Sequence, residues 1–523
     1  MPSVDTGTVT TSSRRGAAAP GTPARNASAA SDVAASDPVG AKENRVIWLL
    51  LAAAFVAILN ETTMGVAIPH LIGDLGITAV QAQWLTTAFM LTMAVVIPTT
   101  GFLLQRFTTR AMFAAAMGLF SLGTLIALVA PGFEVLLVGR VVQASGTAIM
   151  MPLLMTTLMT VVPPHARGRM MGRVSIVMSL APAIGPTMAG VILDTLTWRW
   201  IFAIVLPIAL LALVIGVRWI HNLGEQTHAP IDLLSVVLSA LGFGGLVFGL
   251  SQIGGGGHGG SDAAAQAAAD TATVTLIVSL AIGVVALGLF VWRQLVLQRR
   301  DDALLDLRIF RSRNFTLSVA HFAVMSLAFF GTITALPLFL QGPLELTTTQ
   351  SGLVVLPGAV AMGLLGPVIG RIYDRWGTRI LLVPGTIIVI AILWSFTLLT
   401  ETTPIWLIVA SQTVLSVGLA MSFTPLFTAS LGSLQPQFYS YGSATVSTVQ
   451  QVAGAAGVAL LISVMSSRSA TALAAGATEA AAGAAGARSA FLLAAIMAMP
   501  LLISAFLIKK PVDHPAGAHA PAH

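Results

Sequence analysis

The feature that most restricts what this chain can become is its succession of long, nearly uncharged apolar runs, which begins near residue 46 and continues to residue 508. Fourteen of them reach the ~20 residues an α-helix needs to cross a ~30 Å hydrocarbon core. They run from 46–69, 83–104 and 111–130 at the start to 441–465 and 489–508 at the end. Backbone amides in lipid must be satisfied internally, and the runs lack the period-two alternation of barrel strands, so they are helices. Composition serves as a check. Only 9% of residues are charged and 56% are apolar, against about 25% charged in soluble proteins. An ordinary soluble enzyme is excluded. The absence of cysteine removes disulfides, thiolate metal sites and cysteine nucleophiles together.

The net charge of +6 does not point to nucleic acid, because the basic residues form no stripe that could follow a phosphate backbone. They occupy the short gaps between runs. With the amino terminus placed inside, 22 of the 26 fall on inner segments, Arg199, Arg468 and Arg488 fall outside, and Arg140 lies within a span. One missed helix would invert every later gap, so this asymmetry supports fourteen spans with both termini cytoplasmic.

The expected organisation is therefore a disordered tail at 1–45, a six-helix bundle at 46–220, and two inserted helices with a connection at 221–314. A second six-helix bundle at 315–508 and a short tail at 509–523 complete it. The gaps 254–272 and 466–488, rich in glycine and alanine, read as flexible outer loops. The mixed-charge segment 293–314 reads as an amphipathic connection along the membrane surface. An offset of 269 residues relates Gln81 to Gln350, Pro98 to Pro367, Gly101 to Gly370, Arg106 to Arg375, Arg110 to Arg379 and Gly185 to Gly454. Both members of each pair start on the same side, so the two bundles are parallel repeats.

Charge at membrane depth needs a reason. Glu61 is the acid set well inside a span, and Arg140 is the corresponding base, at similar depth in spans 1 and 4. Two readings stand: a carboxylate that loads and releases a proton beside Arg140, or a static pair that orients two helices. His321, in span 9, is either a proton relay or a satisfied interfacial histidine. His165, His221 and His228 have no ligand spacing, so no metal site is expected. Span 5 carries Gly172, Ala181, Gly185, Pro186, Ala189 and Gly190, a groove for close helix approach that reads as tight packing or as a seal between the bundles. Two inner turns share one spacing: Gly101, Gln105, Arg106, Thr108 and Arg110, then Gly370, Asp374, Arg375, Gly377 and Arg379. They read as latches between helix ends, or as arginines that hold the turns inside.

Together these stretches resemble the major facilitator superfamily, in particular its fourteen-span drug:proton antiporter branch of the lincomycin-resistance type. The paired inner turns resemble the family motif after span 2 and its second-half counterpart. Gly139-Arg140 through Gln143 and Gly146 is similar to the span 4 motif whose arginine the family links to proton transfer, and the span 5 pattern to the exporters' antiporter motif. The segments around Gln83-Trp84, Trp198 to Phe202, Leu336-Pro337 and Gln450-Gln451 resemble further signatures of the branch. Some positions depart from the pattern. Asn60 stands where the branch has an aspartate, with the acid one residue later at Glu61, about 100° around the helix; Gln105 and Thr108 replace Asp and Gly.

The resemblance implies an all-α polytopic transporter of the bacterial plasma membrane that exports amphipathic drugs against proton entry, with no catalytic residues and no cofactor beyond the proton gradient. Its implied partners are the lipid bilayer, protons and small lipophilic or cationic substrates, with no nucleic acid and a monomeric state. Asn60, Trp84 and Gln143 are expected to line the substrate cavity. A narrow-specificity exporter of an amino acid, siderophore or lipid is the alternative, and a passive channel is a weaker one.

Overall fold

The structure, a computed structural model, describes residues 41–220, 222, 232–252, 263–300 and 302–511. The expected tail up to residue 40, His221, His228 and the stretch from 512 onward lie outside the described residues. Helices α1 (Ala41–Leu75), α2 (Ala79–Arg106), α3 (Thr109–Leu128), α4 (Phe133–Val161), α5 (Arg167–Thr195) and α6 (Arg199–Trp219) come first. The pair α7 (Leu233–Gln252) and α8 (Ala263–Leu297) follows. Then come α9 (Arg313–Gln341), α10 (Thr348–Trp376), α11 (Arg379–Phe396), α12 (Ile405–Gly432), α13 (Tyr439–Ala474), α14 (Glu479–Ala498) and α15 (Pro500–Leu507). Among the described residues there are fourteen candidate membrane spans, with α14 and α15 forming a single span broken at Pro500.

The glycine- and alanine-rich gaps are shorter than expected. Helix α13 continues to Ala474 and α14 begins at Glu479, so most of 466–488 is helical rather than a loop. Alanine is the strongest helix former, and small residues here let the helices touch: a Cβ on Gly486 would meet Ser469 and Met465, and one on Gly483 would meet Pro343. Likewise α8 starts at Ala263, inside the expected loop 254–272. Part of the connection 293–314 is tucked into the protein. Ala303, Leu304 and Leu305 are buried, and the Ala303 carbonyl accepts a hydrogen bond from Tyr441 of α13.

The repeat extends to the helix starts. Thr78 and Gln81 form a capping box at α2, and Thr347 and Gln350 form the same box 269 residues later at α10. Between α11 and α12 the register changes: α4 starts at Phe133 and α12 at Ile405, 272 positions on. The 3-10 turn Pro164–Ala166 that precedes α5 corresponds to Pro436–Phe438 before α13, 272 positions on. A longer connection between α11 and α12 thus shifts the rest of the second half by three residues, and the pairing of Gly185 with Gly454 slips with it.

Helices α1 to α6 pack on one another, as do α9 to α15, and the two groups meet mainly where α5 crosses α10 and α2 crosses α13. Lipid supplies no hydrophobic drive between helices, so close van der Waals approach carries these contacts. Helix α7 packs against both α2 and α13, alongside the second crossing. The turn between α5 and α6 is stitched to the α3–α4 turn: Trp198 is buried against Phe202, and Arg199 donates to the Ala130 carbonyl at 2.8 Å.

Candidate functional site

The charged centre grows out of the α3–α4 contact. A Cβ at Gly139 would press on Ala127 and Gly123, and one at Gly146 on Ala116 and Phe120. These glycines are seven residues apart, two turns on one face. Their closeness leaves Arg140 on the adjacent face, 1% exposed, with its guanidinium carbon 4.1 Å from the ring centre of Phe89 on α2. Arg140 donates to Gln143 Oε1 at 2.6 Å, Gln143 donates to Thr124 Oγ1 at 2.8 Å, and Thr124 donates to the Phe120 carbonyl at 2.7 Å. Gln143 is thereby a buried support for Arg140 and not the cavity-lining residue expected. Charge-assisted bonds of this kind are about twice as strong as neutral ones.

Glu61, on α1, is half-buried and interacts electrostatically with Arg140. Among the described residues the arginine's hydrogen bond goes to Gln143, so the two charges face each other through space and not as a bonded pair. Its neighbour Asn60 points to a different environment: it is 1% exposed, and neither polar atom has a partner among the described residues. Trp84 does not join this centre; it stacks on Phe248 of the inserted helix α7, with centroids 5.7 Å apart. His321 is also elsewhere, buried between α9 and α15, where Nδ1 lies 2.7 Å from Ser504 Oγ.

The second half carries different chemistry at the equivalent positions. Asn60 and Glu61 correspond at the 269-residue offset to Phe329 and Phe330, and Arg140 corresponds, at the 272-residue offset of α4 and α12, to the neutral Gln412. Phe329 contacts Phe330 and Phe423, and Phe423 and Phe427 flank Phe322 at 5.2 and 4.7 Å. One half is ionic and the other aromatic.

The seal lies near the arginine-rich turns, and it differs from the expected one. On α5 a Cβ at Gly172 would collide with the backbone of Gly366 and Pro367 on α10, and one at Gly168 with Gly370, Tyr373 and Asp374. Gly185 instead packs on Leu59 and Thr62 of α1, within its own group, and Gly190 has nothing within 4 Å. Pro186, exposed on the same stretch, lies beyond the crossing. The interlocking residues are thus Gly168, Gly172, Gly363, Gly366 and Gly370, of which sequence reading singled out two.

Asp374 closes the seal electrostatically. Its carboxylate accepts from the backbone N–H of Gly168 at 2.7 Å and of Arg169 at 2.8 Å. These are two of the free donors in the first turn of α5, so a side chain of one half caps a helix of the other. Gln105, the counterpart of Asp374, reaches the start of α13 and donates to the Gln437 carbonyl at 2.7 Å and to Ser440 Oγ at 3.0 Å. Gly101 fits against Ser440, Tyr441 and Ala444. Of the expected latch arginines, three point away from the crossing helix ends. Arg110, Arg375 and Arg379 are exposed, and Arg375 lies over Trp376. Arg106 lies near Phe107, and Gly377 turns the chain with φ +85°. Arg167, which sequence reading counted only for topology, bonds the Met159 carbonyl at 2.8 Å and Tyr439 Oη at 3.2 Å. Deeper in, Thr156 pairs with Ser443 at 2.7 Å and Ser175 with Thr424 at 2.8 Å. Among the described residues, the hydrogen bonds between the two groups all fall in the half next to the arginine turns.

Comparison with known proteins places this geometry. The profile of the Major Facilitator Superfamily matches residues 50–458. The lincomycin resistance protein LmrB of Bacillus subtilis (strain 168) is 40% identical over 399 residues, 76% of this chain and 80% of that protein. The multidrug resistance protein B homolog of Mycobacterium tuberculosis (strain ATCC 25618 / H37Rv) is 29% identical over 405 residues, 77% of this chain and 72% of that one. The crystal structure of the human organic anion transporter MFSD10 (TETRAN) superposes with a TM-score of 0.61 at 13% identity, covering 89% of this chain and 99% of that one, which is a likeness of fold. The chain belongs to the Major Facilitator Superfamily and is a membrane transporter, not an enzyme.

Proposed function

We propose that this transporter exports amphipathic drugs or related small molecules from a bacterial cell in exchange for protons. The observation that carries the reading is Glu61: an ionisable group at membrane depth, half-buried, and held in the field of a buried arginine fixed by Gln143 and Phe89. A carboxylate so placed can give its charge either to a proton or to a cationic guest, and the competition between them couples the two flows. The aromatic half, with the half-buried Phe329 and Phe330, offers apolar faces to the rest of such a guest.

The arginine bias supports placing the sealed end at the cytoplasm, which reads this structure as closed on that side. Opening to the cytoplasm then means withdrawing Asp374 from the start of α5 and separating Gly172 from Gly366. The test is substrate-triggered alkalinisation of inverted vesicles acidified by respiration, with lincomycin and a panel of lipophilic cations. Wild type should release protons on addition of a substrate, and Glu61→Gln should bind the substrate yet release none. A Glu61→Gln protein that behaves as wild type would move the coupling to another group.

A further inference from the structure

Outside the charged centre, the lipid-facing wall of the first group contains a groove of about 410 Å³. It lies between α1, α5 and α6 and is lined by Trp48, Phe55, Leu59, Val177, Ile204 and Ile208. From Trp48 to Leu59 it follows α1 for eleven residues, about 16 Å at 1.5 Å per residue. That is close to half of a ~30 Å hydrocarbon core, the depth of one leaflet.

Its mouth, at the arginine-rich end, is cationic. Arg173 sits 5.5 Å from the ring centre of Trp48, and Arg45 sits 6.0 Å from that of Trp219. Lys42 and Arg218 are exposed on the same two helix ends, and Glu43 offsets one of these four charges. Arg173 is the telling residue. It lies inside the candidate span 164–195 and is half-buried, and its contacts among the described residues are Met170 Sδ at 3.8 Å and the Trp48 ring. A guanidinium at headgroup depth with donors turned to no carboxylate is matched to a phosphate.

We infer that this groove is a binding site for one anionic phospholipid, with an acyl chain along α1 between Phe55 and Ile208 and the headgroup phosphate held by Arg173 and Arg45. The occupant is fixed by charge complementarity and by length: an apolar slot one leaflet deep opens onto a surplus of positive charge at the membrane interface. The site is separate from the charged centre and does not depend on which compound is carried.

The test uses the full chain in nanodiscs of zwitterionic lipid doped with equal fractions of brominated phosphatidylglycerol or brominated phosphatidylcholine. Quenching is read as the difference between wild type and Trp48→Phe, which isolates Trp48 from the other eight tryptophans. Brominated phosphatidylglycerol should quench Trp48 in preference, and Arg173→Gln should lower the preference about fivefold. Ala52→Trp, which fills the groove and leaves every arginine, should abolish retention of the lipid. Native mass spectrometry of the same variants, counting phosphatidylglycerol retained per protein, gives a reading that does not use Trp48. Equal quenching by both lipids, or a preference unchanged by Arg173→Gln, overturns the proposal. Retention that survives Ala52→Trp reduces the contact to ordinary annular lipid and overturns it as well, and so does displacement of the lipid by a neutral brominated alkane, which would make the groove a general apolar crevice.

Discussion

At the scale of single residues, the informative contrast is between Asp374 and Gln105, which occupy one position of the repeat with opposite hydrogen-bonding sense. Asp374 faces free N–H groups and accepts; Gln105 faces a carbonyl and a hydroxyl and donates. Asp374→Asn keeps the shape but halves the acceptors and removes the charge at the α5 start. It should cost about 1 kcal/mol of the sealed arrangement, as loss of a helix cap does. With Ser179→Cys as reporter, bonded only within its own helix, labelling by an impermeant maleimide from the arginine-rich side should speed up about fivefold, the factor that 1 kcal/mol corresponds to. An unchanged rate would mean that Asp374 does not hold the seal. The sequence made Glu61 and Arg140 conspicuous, because a charge inside an apolar run is costly. Asp374 stood out only by its motif, since its partners are backbone amides that no residue letter records.

Helices α5 and α7 show how elements are positioned. Helix α5 changes allegiance along its length, meeting α10 through Gly168 and Gly172 and then α1 through Gly185. Gly172→Val should therefore hold α5 off α10 and abolish transport, with basic-end accessibility rising. Gly190→Val, facing nothing within 4 Å, should transport as wild type. If the two variants behaved alike, the split assignment of this helix would fail. The inserted pair is braced by Asp232, which takes both Arg293 Nε at 2.6 Å and Nη2 at 2.8 Å and also accepts from Ser235 Oγ. Gln294 extends the brace by donating to Ser235 and accepting from the Leu305 N–H. The Arg293 hydrogen bond lowers Asp232 from 3.8 to about 2. A depressed acid stabilises the folded state above its unfolded pKa and loses that effect as pH falls through the folded one. The brace is thus complete above about pH 4 and lost toward pH 2. Thermal unfolding should show wild type more stable than Asp232→Asn at pH 5 to 8, with the gap closing below about pH 3.

For the whole molecule, the two halves interlock at the arginine-rich end, and this arrangement should be open to trapping. The chain has no cysteine, and the Thr156 and Ser443 hydroxyls are 2.7 Å apart, so Thr156→Cys with Ser443→Cys falls within disulfide reach. Oxidation should form the cross-link and stop transport, and reduction should restore it; transport that continued with the cross-link in place would show that this seam never opens. Fourteen helices, parallel repeats and the arginine bias are all legible in the sequence, because a bilayer imposes length, internal hydrogen bonding and charge placement on each segment separately. The same one-dimensional reading fails where alanine and glycine pack helices beyond the expected spans at 466–488, and where it places Trp84 and Gln143 in one cavity with Asn60. Those outcomes depend on which neighbour a helix face meets. Residues that need lipid depth or a terminus are specified by their own segment, whereas the pairing of Gly172 with Gly366, of Asp374 with the α5 amides and of Arg140 with Gln143 is decided only when the helices cross, since close packing and hydrogen-bond direction are properties of two surfaces at once.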